Sequence, residues 1–239
     1  MKEFLDKAES LGRKVYVVCN MRFHPALRAV REALPAIGKP LFARAHYGNY
    51  LPDMRAGADY RELYCARRQT GGGVILDAIH EVDYLSWFFG QPVSVSCESA
   101  KLSDLDIDVE DYAGIHMRHE SGVRSETHLD YLRRYKRRGL EVVGENGSVI
   151  WLSEGKNPES CMVRRHVAGR GWETVFRDDA LDASHMYAEL MRRFVDAAQG
   201  RGDGELLTGR QAERELAAVL AAHSSGDRGR SISLVEFEG

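Results

Sequence analysis

The sequence predicts an α+β fold, in which a large, mostly antiparallel β-sheet carries helices packed on one face. Two observations lead to this prediction. Seven short runs between residues 93 and 176 have the composition of strands, and the turn sequences HESG and GENG separate two pairs of them. Two segments with helical periodicity, 182–199 and 208–223, follow these strands. Strands joined by tight turns pair antiparallel, and the helices are needed to bury one apolar face of the sheet.

Each element is predicted from local signals in the chain. His24 and Pro25 stand near the start of the second helix, and Gly38 ends it. The segment 49–70 is polar and irregular apart from a short helix at Asp59–Tyr64, and long irregular segments in compact domains are often functional. In chain order, the predicted elements are a helix at 1–12, an extended run at 14–19, a helix at 24–36, a strand at 41–48, a helix within 71–90, strands at 93–102, 110–118, 122–131, 137–144, 148–152, 161–167 and 172–176, helices at 182–199 and 208–223, and a last strand at 231–237.

The composition is that of a soluble globular domain. The chain has 239 residues, 44% hydrophobic and 29% charged, which is enough for one sizeable core. A formal net charge of -3 gives no overall attraction to nucleic acid or membranes, and no run approaches the roughly 18 apolar residues that cross a bilayer. The cysteines form no CxxC pair, so we expect free thiols in a reducing cytoplasm. They are Cys19, Cys65, Cys97 and Cys161.

A basic run at Arg133–Arg138 stands where one predicted strand turns into the next. Runs of this kind are more often a solvated hairpin or a phosphate contact than a nucleic-acid site. We therefore expect no nucleic acid and no membrane among the partners.

The run Gly71–Gly90, GGGVILDAIHEVDYLSWFFG, is the strongest candidate for a functional site. Three glycines let the backbone approach a ligand closely and leave the first helical N–H groups open to a polar partner. A carboxylate beside an imidazole suits proton transfer, because it orients the ring and holds its pKa near the working pH. The alternative is an amphipathic helix with a solvated polar face. Helical spacing puts four polar residues on one face, namely Asp77, His80, Glu81 and Tyr84, opposite Ile75, Ala78, Ile79, Val82, Leu85 and Phe89.

This run resembles the signature of the glucose-fructose oxidoreductase, inositol dehydrogenase and rhizopine catabolism (Gfo/Idh/MocA) family of NAD(P)-dependent enzymes. In that family a GGG run leads into a helix bearing Asp and then His, and here Asp77 and His80 are one residue closer together than in the usual form. The resemblance implies the C-terminal dehydrogenase domain, similar to that of glyceraldehyde-3-phosphate dehydrogenase. It also implies that His80, or a lysine assisted by His80, removes a hydroxyl proton while Asp77 orients the base. Other segments fit in the same order: NMRFHP at 20–25, IGKPLFARA at 37–45, YLPD at 50–53, DYRELY at 59–64, SETHLDY at 125–131 and EVVGENGSVIW at 141–151.

The family's first, doubly wound domain carries a Gly-rich phosphate loop and a Glu-Lys-Pro turn with a catalytic lysine, and neither occurs in this sequence. Residues 1–20 resemble the last helix and strand of that domain, and 21–239 the substrate-binding and oligomerisation domain. We therefore expect NAD or NADP as the cofactor of a full-length enzyme, none bound to this chain, and no activity from this chain alone. The alternative is a non-enzymatic sugar-binding or oligomerisation module. A metal-dependent hydrolase would use HExxH spacing, which is absent, so we expect no metal.

The expected substrate is a sugar, a cyclitol or a nucleotide sugar, because paired donors and acceptors suit hydroxyl groups. His128 and Asp130 point the same way from one strand, although they could merely satisfy each other. The resemblance places Arg22 at a hinge between the two family domains. The candidate substrate-binding residues are Tyr60, Arg61, Tyr84, His128, Asp130 and Arg22.

Two surfaces are expected to find partners. The apolar run at 14–19 is predicted to pair with another copy of the chain or to fold against a new surface, because exposed strand edges are a liability. By resemblance, the open face of the sheet packs against another subunit in a homo-oligomer. Trp151, Met117 and Ile115 would suit that interface or equally the core.

Overall fold

The computed structural model describes residues 1–202 and 205–235 and confirms the α+β fold predicted from the sequence. The helices are α1 (Lys2–Ser10), α2 (Pro25–Ala33), α3 (Val74–Asp77), α4 (Ile79–Phe89), α5 (Ser184–Ala198) and α6 (Gly209–Arg228). The strands are β1 (Tyr16–Val17), β2 (Pro40–Gly48), β3 (Pro92–Ala100), β4 (Tyr112–His119), β5 (Arg124–Asp130), β6 (Arg137–Gly144), β7 (Gly147–Glu154), β8 (Glu159–Val167), β9 (Gly171–Leu181), β10 (Leu207–Thr208) and β11 (Ile232–Ser233).

Nine of the described strands form one sheet in the order β11-β3-β4-β5-β2-β6-β7-β8-β9. The turn HESG joins β4 to β5, and Gly122 takes a φ of +86° there, a left-handed conformation that glycine adopts without strain. The turn GENG closes β6 onto β7, where Gly144 pairs with Gly147. Among the described strands, only β2 and β5 run parallel, from Phe42 beside Arg124 to Gly48 beside Asp130. The two meanders β3–β5 and β6–β9 are therefore joined through β2.

The core lies between one face of this sheet and the helices. Helix α2 packs over β7, β8 and β9, α6 over β3, and α4 against β2 and α6. Trp151, Met117 and Ile115 point into this core and are at most 3% exposed. The interface alternative is therefore wrong for these residues, because the helices already cover them. The opposite face exposes the alternate side chains of the central strands, among them Arg44 and Glu126.

The predicted helix after the three glycines is interrupted. Ala78, with φ -97° and ψ 30°, separates α3 from α4 and shifts the faces of the two helices relative to each other. Glu81 and Tyr84 are both fully buried, so they form no solvated polar face, which was the alternative for this helix.

The run 14–19 pairs within its own chain. Tyr16 and Val17 form a two-stranded sheet with Thr208 and Leu207, which is the second of the two outcomes predicted for this edge. The last strand is shorter than predicted, and residues 236 and 237 of it lie outside the described residues. Within the described ranges, no helix has the length and apolar character needed to cross a membrane.

Candidate functional site

The glycine turn before α3 is fixed by close backbone packing. A Cβ on Gly72 would come within 2.7 Å of the carbonyl oxygens of Cys65 and Arg67. Gly73 has a φ of +109°, and its added Cβ would lie 2.2 Å from the carboxylate of Glu110. Neither position accepts a side chain, which explains the glycines without a ligand.

Glu110 also occupies the start of α3. Its carbonyl oxygen accepts the N–H of Val74 at 3.2 Å, and its Oε1 accepts the N–H of Ile75 at 3.1 Å. We predicted that these N–H groups would be open to a polar ligand, and that prediction is wrong because a carboxylate of the same chain caps them.

Asp77 ends α3 among tyrosine hydroxyl groups. The hydroxyl of Tyr64 donates a hydrogen bond to Oδ1 of Asp77. Burial, followed by this hydrogen bond, raises the pKa of Tyr64 above its usual range. Tyr131 lies near the same carboxylate, and burial together with the Asp77 charge also raises the pKa of its hydroxyl. Asp77 is therefore an acceptor in a tyrosine-lined setting, with Tyr64 at its exposed side.

His80 lies in the first turn of α4 and is half-buried. Its Nδ1 is buried and has no hydrogen-bond partner. Burial, followed by the charge of Arg138, lowers the pKa of His80 to about 4, so the ring is neutral at pH 7. Asp77 makes no hydrogen bond to this ring, because the break at Ala78 separates the two helices and Asp77 bonds Tyr64 instead. The predicted orienting role of Asp77 toward His80 is therefore not seen.

Beneath His80 lies a buried ion pair. Nε of Arg138 is 2.8 Å from Oε1 of Glu81, and the two side chains are 11% and 0% exposed. The guanidinium also lies over the ring of Tyr47, 4.4 Å from its centroid, and donates to Sδ of Met21 at 3.1 Å. Arg138 thus joins α4 to β6, β2 and the segment before α2.

A second buried carboxylate lies at the same end of the sheet. Nδ1 of His24 accepts the N–H of Ala26 at the start of α2, so its Nε2 carries the proton and donates to Oε1 of Glu159 at 2.6 Å. Oε2 of Glu159 accepts from Ser153 at 2.7 Å and lies 3.4 Å from Nζ of Lys136. Burial opposes ionisation, but the hydrogen bond from His24, followed by the charge of Lys136, lowers the pKa of Glu159 to about 2.

The basic run is not a solvated hairpin, which corrects the sequence prediction. Arg138 and Lys136 point into the protein, as described, and three other members also find partners on the chain. Arg133 lies 3.5 Å from Asp130, Arg137 lies 3.6 Å from Glu154, and Arg134 lies over the ring of Tyr50, 3.7 Å from its centroid.

His128 and Asp130 lie on the open face of the sheet, opposite the helices. Nε2 of His128 is 2.9 Å from Oδ2 of Asp130, so the two residues satisfy each other as the alternative for this pair stated. The sheet separates them from α4 and from His80.

Four other candidate residues have partners of their own. Tyr60 accepts the N–H of Asp106 at 3.1 Å, and Arg61 lies 2.6 Å from Asp59 with 53% of its side chain exposed. Tyr84 is buried against Trp151, and Arg22 is buried between α4 and α6. Asp77 and His80 are thus partly exposed in the structure, whereas Tyr84 and Arg22 are buried.

Sequence reasoning missed Tyr64 and Arg138 at this site. Tyr64 was visible as the end of the predicted short helix DYRELY, and Arg138 as the last member of the basic run. Nothing in the local sequence indicated that Arg138 would meet Glu81, since that contact depends on the sheet register. Among the described residues, one group has donor atoms close enough together for a metal ion, namely Cys19, Asp83 and Glu215, and the guanidinium of Arg22 already contacts both carboxylates.

Comparison with known proteins places this geometry in context. The family described as the GFO/IDH/MocA C-terminal domain matches residues 27–150. The chain is 27% identical over 242 residues to 1,5-anhydro-D-fructose reductase from Ensifer adhaerens, covering 98% of this chain and 68% of the relative. It is 26% identical over 246 residues to D-apiose dehydrogenase from Paraburkholderia graminis, covering 96% and 62%. The chain thus spans about two thirds of the length of these curated relatives.

Two solved structures share the fold. An oxidoreductase from Agrobacterium radiobacter, in complex with NAD+, L-tartaric acid and magnesium, superposes with a TM-score of 0.78 at 19% identity, covering 98% of this chain and 69% of that one. The WlbA dehydrogenase from Bordetella pertussis, in complex with NADH and UDP-GlcNAcA, gives a TM-score of 0.73 at 20% identity, covering 97% and 67%.

Proposed function

Because the chain belongs to the GFO/IDH/MocA C-terminal domain family, we propose that it is the substrate-binding part of an NAD(P)-dependent oxidoreductase acting on a hydroxyl group. The substrate class is a sugar, a cyclitol or a nucleotide sugar. The names of the two curated relatives and of the WlbA complex support this class.

The observation that carries the proposal is the state of His80. A neutral imidazole with one buried nitrogen has a single nitrogen left for a ligand, and that nitrogen can accept a hydrogen bond from a substrate hydroxyl. Burial, followed by the positive charge of Arg138, lowers the pKa of the ring to about 4 and keeps it unprotonated at pH 7. Asp77 and the Tyr64 hydroxyl offer an acceptor and a donor for further hydroxyl groups.

The residues of this chain do not fit the dinucleotide. The sequence contains no GxGxxG, and the described strands form a mostly antiparallel sheet instead of a doubly wound parallel one. NAD or NADP supplies hydride exchange in this family, and the proposal places it in a separate doubly wound domain. We assign no cofactor-binding residue and no turnover to this chain alone.

The proposal keeps Arg61 as a contact for a charged substrate group, because its side chain is exposed and near Tyr64 in sequence. It does not keep Tyr84 and Arg22, whose side chains are buried. His128 and Asp130 are assigned to the open face, which we propose as the contact between copies in a homo-oligomer. The free state of Cys19, Cys65, Cys97 and Cys161 supports a cytoplasmic location.

The experiment is ligand binding by the purified chain, measured by saturation-transfer NMR with 1,5-anhydro-D-fructose, D-apiose and UDP-GlcNAcA as probes. The variant His80→Gln is expected to bind the best ligand about tenfold more weakly, because about one hydrogen bond between uncharged groups is lost. His116→Gln, on the exposed open face, is the matched control and should bind normally. Unchanged binding by His80→Gln would overturn the site, and oxidation of NADH by the chain alone would overturn the assignment of the cofactor elsewhere.

A second candidate is a sugar-binding or oligomerisation module without catalysis, and the bonding of Asp77 to Tyr64 instead of His80 favours it. The two functions differ when a nucleotide-binding domain of the family is supplied in trans. Turnover that depends on His80 supports the oxidoreductase, and binding without turnover supports the module.

A further inference from the structure

A buried cluster of four polar residues lies apart from the candidate site and has no role in the proposed function. Its members are Cys19, Arg22, Asp83 and Glu215. Arg22, in the turn Asn20–Phe23, extends between α4 and α6. Its Nη2 lies 2.7 Å from Oδ1 of Asp83 and 3.0 Å from Oε1 of Glu215, and its Nε donates to Oδ1 of Asp83 at 2.8 Å. The three side chains are 6%, 0% and 1% exposed.

The charges in this cluster do not balance if both carboxyl groups are ionised. One guanidinium would then face two carboxylates in a region closed to water, and an unpaired buried charge is strongly unfavourable. The second oxygens, Oδ2 of Asp83 and Oε2 of Glu215, have no partner among the described groups. The two carboxyl groups are nevertheless within hydrogen-bonding reach of each other.

We propose that Asp83 and Glu215 share one proton, so that the pair carries a single negative charge that Arg22 balances, and that this proton fastens the turn Asn20–Phe23 to α4 and α6. One oxygen from each carboxyl group lies within 4.8 Å of the other, so the protonated carboxyl group can donate a hydrogen bond that the ionised one accepts.

The other groups around the pair agree with this assignment. The thiol of Cys19 is close enough to hydrogen-bond Asp83, and Gln91 reaches Glu215. Burial, followed by the charges of Asp83 and Glu215, raises the pKa of the Cys19 thiol, which therefore stays protonated and adds no negative charge. Burial, followed by the charge of Asp83, raises the pKa of Glu215 to about 8, and burial also raises the pKa of Asp83, so the pair holds a proton at neutral pH.

The cluster makes the anchor of this turn sensitive to alkaline pH. The pKa of Glu215 in the folded chain, about 8, lies above its ordinary value of 4.5. The stability that the proton supports is therefore complete below pH 4.5 and declines as the pH rises to about 8. Met21, next to Arg22 in this turn, contacts Arg138, which lies beneath His80. Loosening of the turn therefore also affects the candidate site.

The test compares the melting temperature at pH 7 and pH 9 in the whole chain and in the variant Glu215→Gln. Between these values the wild-type chain is expected to lose about 3–5 °C through this group. The amide of the variant donates to Asp83 without titrating, so this loss should disappear. Glu213→Gln, on the same helix and paired with Arg210 nearer the surface, is the matched control and should keep the wild-type loss.

A measurement on the unaltered chain covers the case in which the variant fails to fold. In protein labelled with 13C at the glutamate carboxyl groups, NMR titration should show one buried glutamate with its midpoint near pH 8. The proposal is overturned if the resonance assigned to Glu215 does not titrate above about pH 6. It is equally overturned if elemental analysis finds one divalent metal ion per chain whose removal by EDTA lowers the melting temperature, because the metal would then replace the proton.

Discussion

Arg138→Met is expected to destabilise the fold in a way that depends on pH. Arg138 is the cation nearest Glu81, which is fully buried and has no hydrogen-bond partner on either carboxylate oxygen. Burial already raises the pKa of Glu81, and the charge of Arg138, followed by a backbone hydrogen bond, opposes that rise. Without the guanidinium of Arg138, the carboxyl group of Glu81 takes up a proton, because an unpaired buried charge is strongly unfavourable. The cost of that protonation at pH 7 is at most about 3.4 kcal/mol, from an ordinary pKa near 4.5 and about 1.36 kcal/mol per pH unit.

The assay is urea denaturation of both chains between pH 5 and pH 7. The raised pKa of Glu81 in the variant means that stability is retained below about pH 4.5 and is lost as the pH rises. We therefore expect a loss of about 2–3 kcal/mol at pH 7 that shrinks by about 1.4 kcal/mol per unit toward pH 5. Arg44→Met, which removes the exposed pair between Arg44 and Glu126, should cost under about 1 kcal/mol at either pH. An equal loss at pH 5 and pH 7 in Arg138→Met would refute the argument from a buried charge.

Two smaller changes test the glycine turn and the tyrosine-lined carboxylate. Tyr64→Phe removes the hydroxyl group that donates to Asp77 but keeps the ring, so sugar binding measured by NMR should weaken about five- to tenfold. The melting temperature should fall little, because Tyr64 is 48% exposed. Unaltered binding would exclude Tyr64 from the site. Gly73→Ala forces a methyl group against Glu110 at a φ of +109°, so the free energy of unfolding measured in urea should fall by more than about 2 kcal/mol. The control is Gly57→Ala, which has a φ of +77° and open space around it. This control should lose only about 1 kcal/mol through backbone strain. Equal costs for the two glycine variants would show that contact with Glu110 does not matter.

The sheet was predictable from the sequence because its signals are local. HESG and GENG lie next to the strands that they join, and the composition typical of strands is found within each run itself. Strand β9 was predicted to end at 176 but continues to Leu181, because its polar residues 177–179 gave no apolar signal.

The site was less predictable because its contacts depend on pairing between distant segments. Spacing predicted Asp77 and His80 on one helix face but could not show that Ala78 interrupts the helix or that Glu81 meets Arg138. For the same reason, the basic run was assigned to solvent. Its partners Glu81 and Glu159 come from α4 and β8, and only the register of β6 shows that Lys136 and Arg138 point toward them.

The place of β2 in the sheet bears on the order in which the chain folds. Strands β4 and β5, or β6 and β7, can close across a few residues, whereas the contact between Arg44 and Glu126 joins positions 82 residues apart. Closing so long a loop costs conformational entropy before β2 gains any contact with its neighbouring strands. Each meander is therefore expected to form first, and the central strand to be inserted last. Until β2 is in place, β5 and β6 each present an unpaired edge, and this is the stage at which two copies of the chain would exchange strands or aggregate.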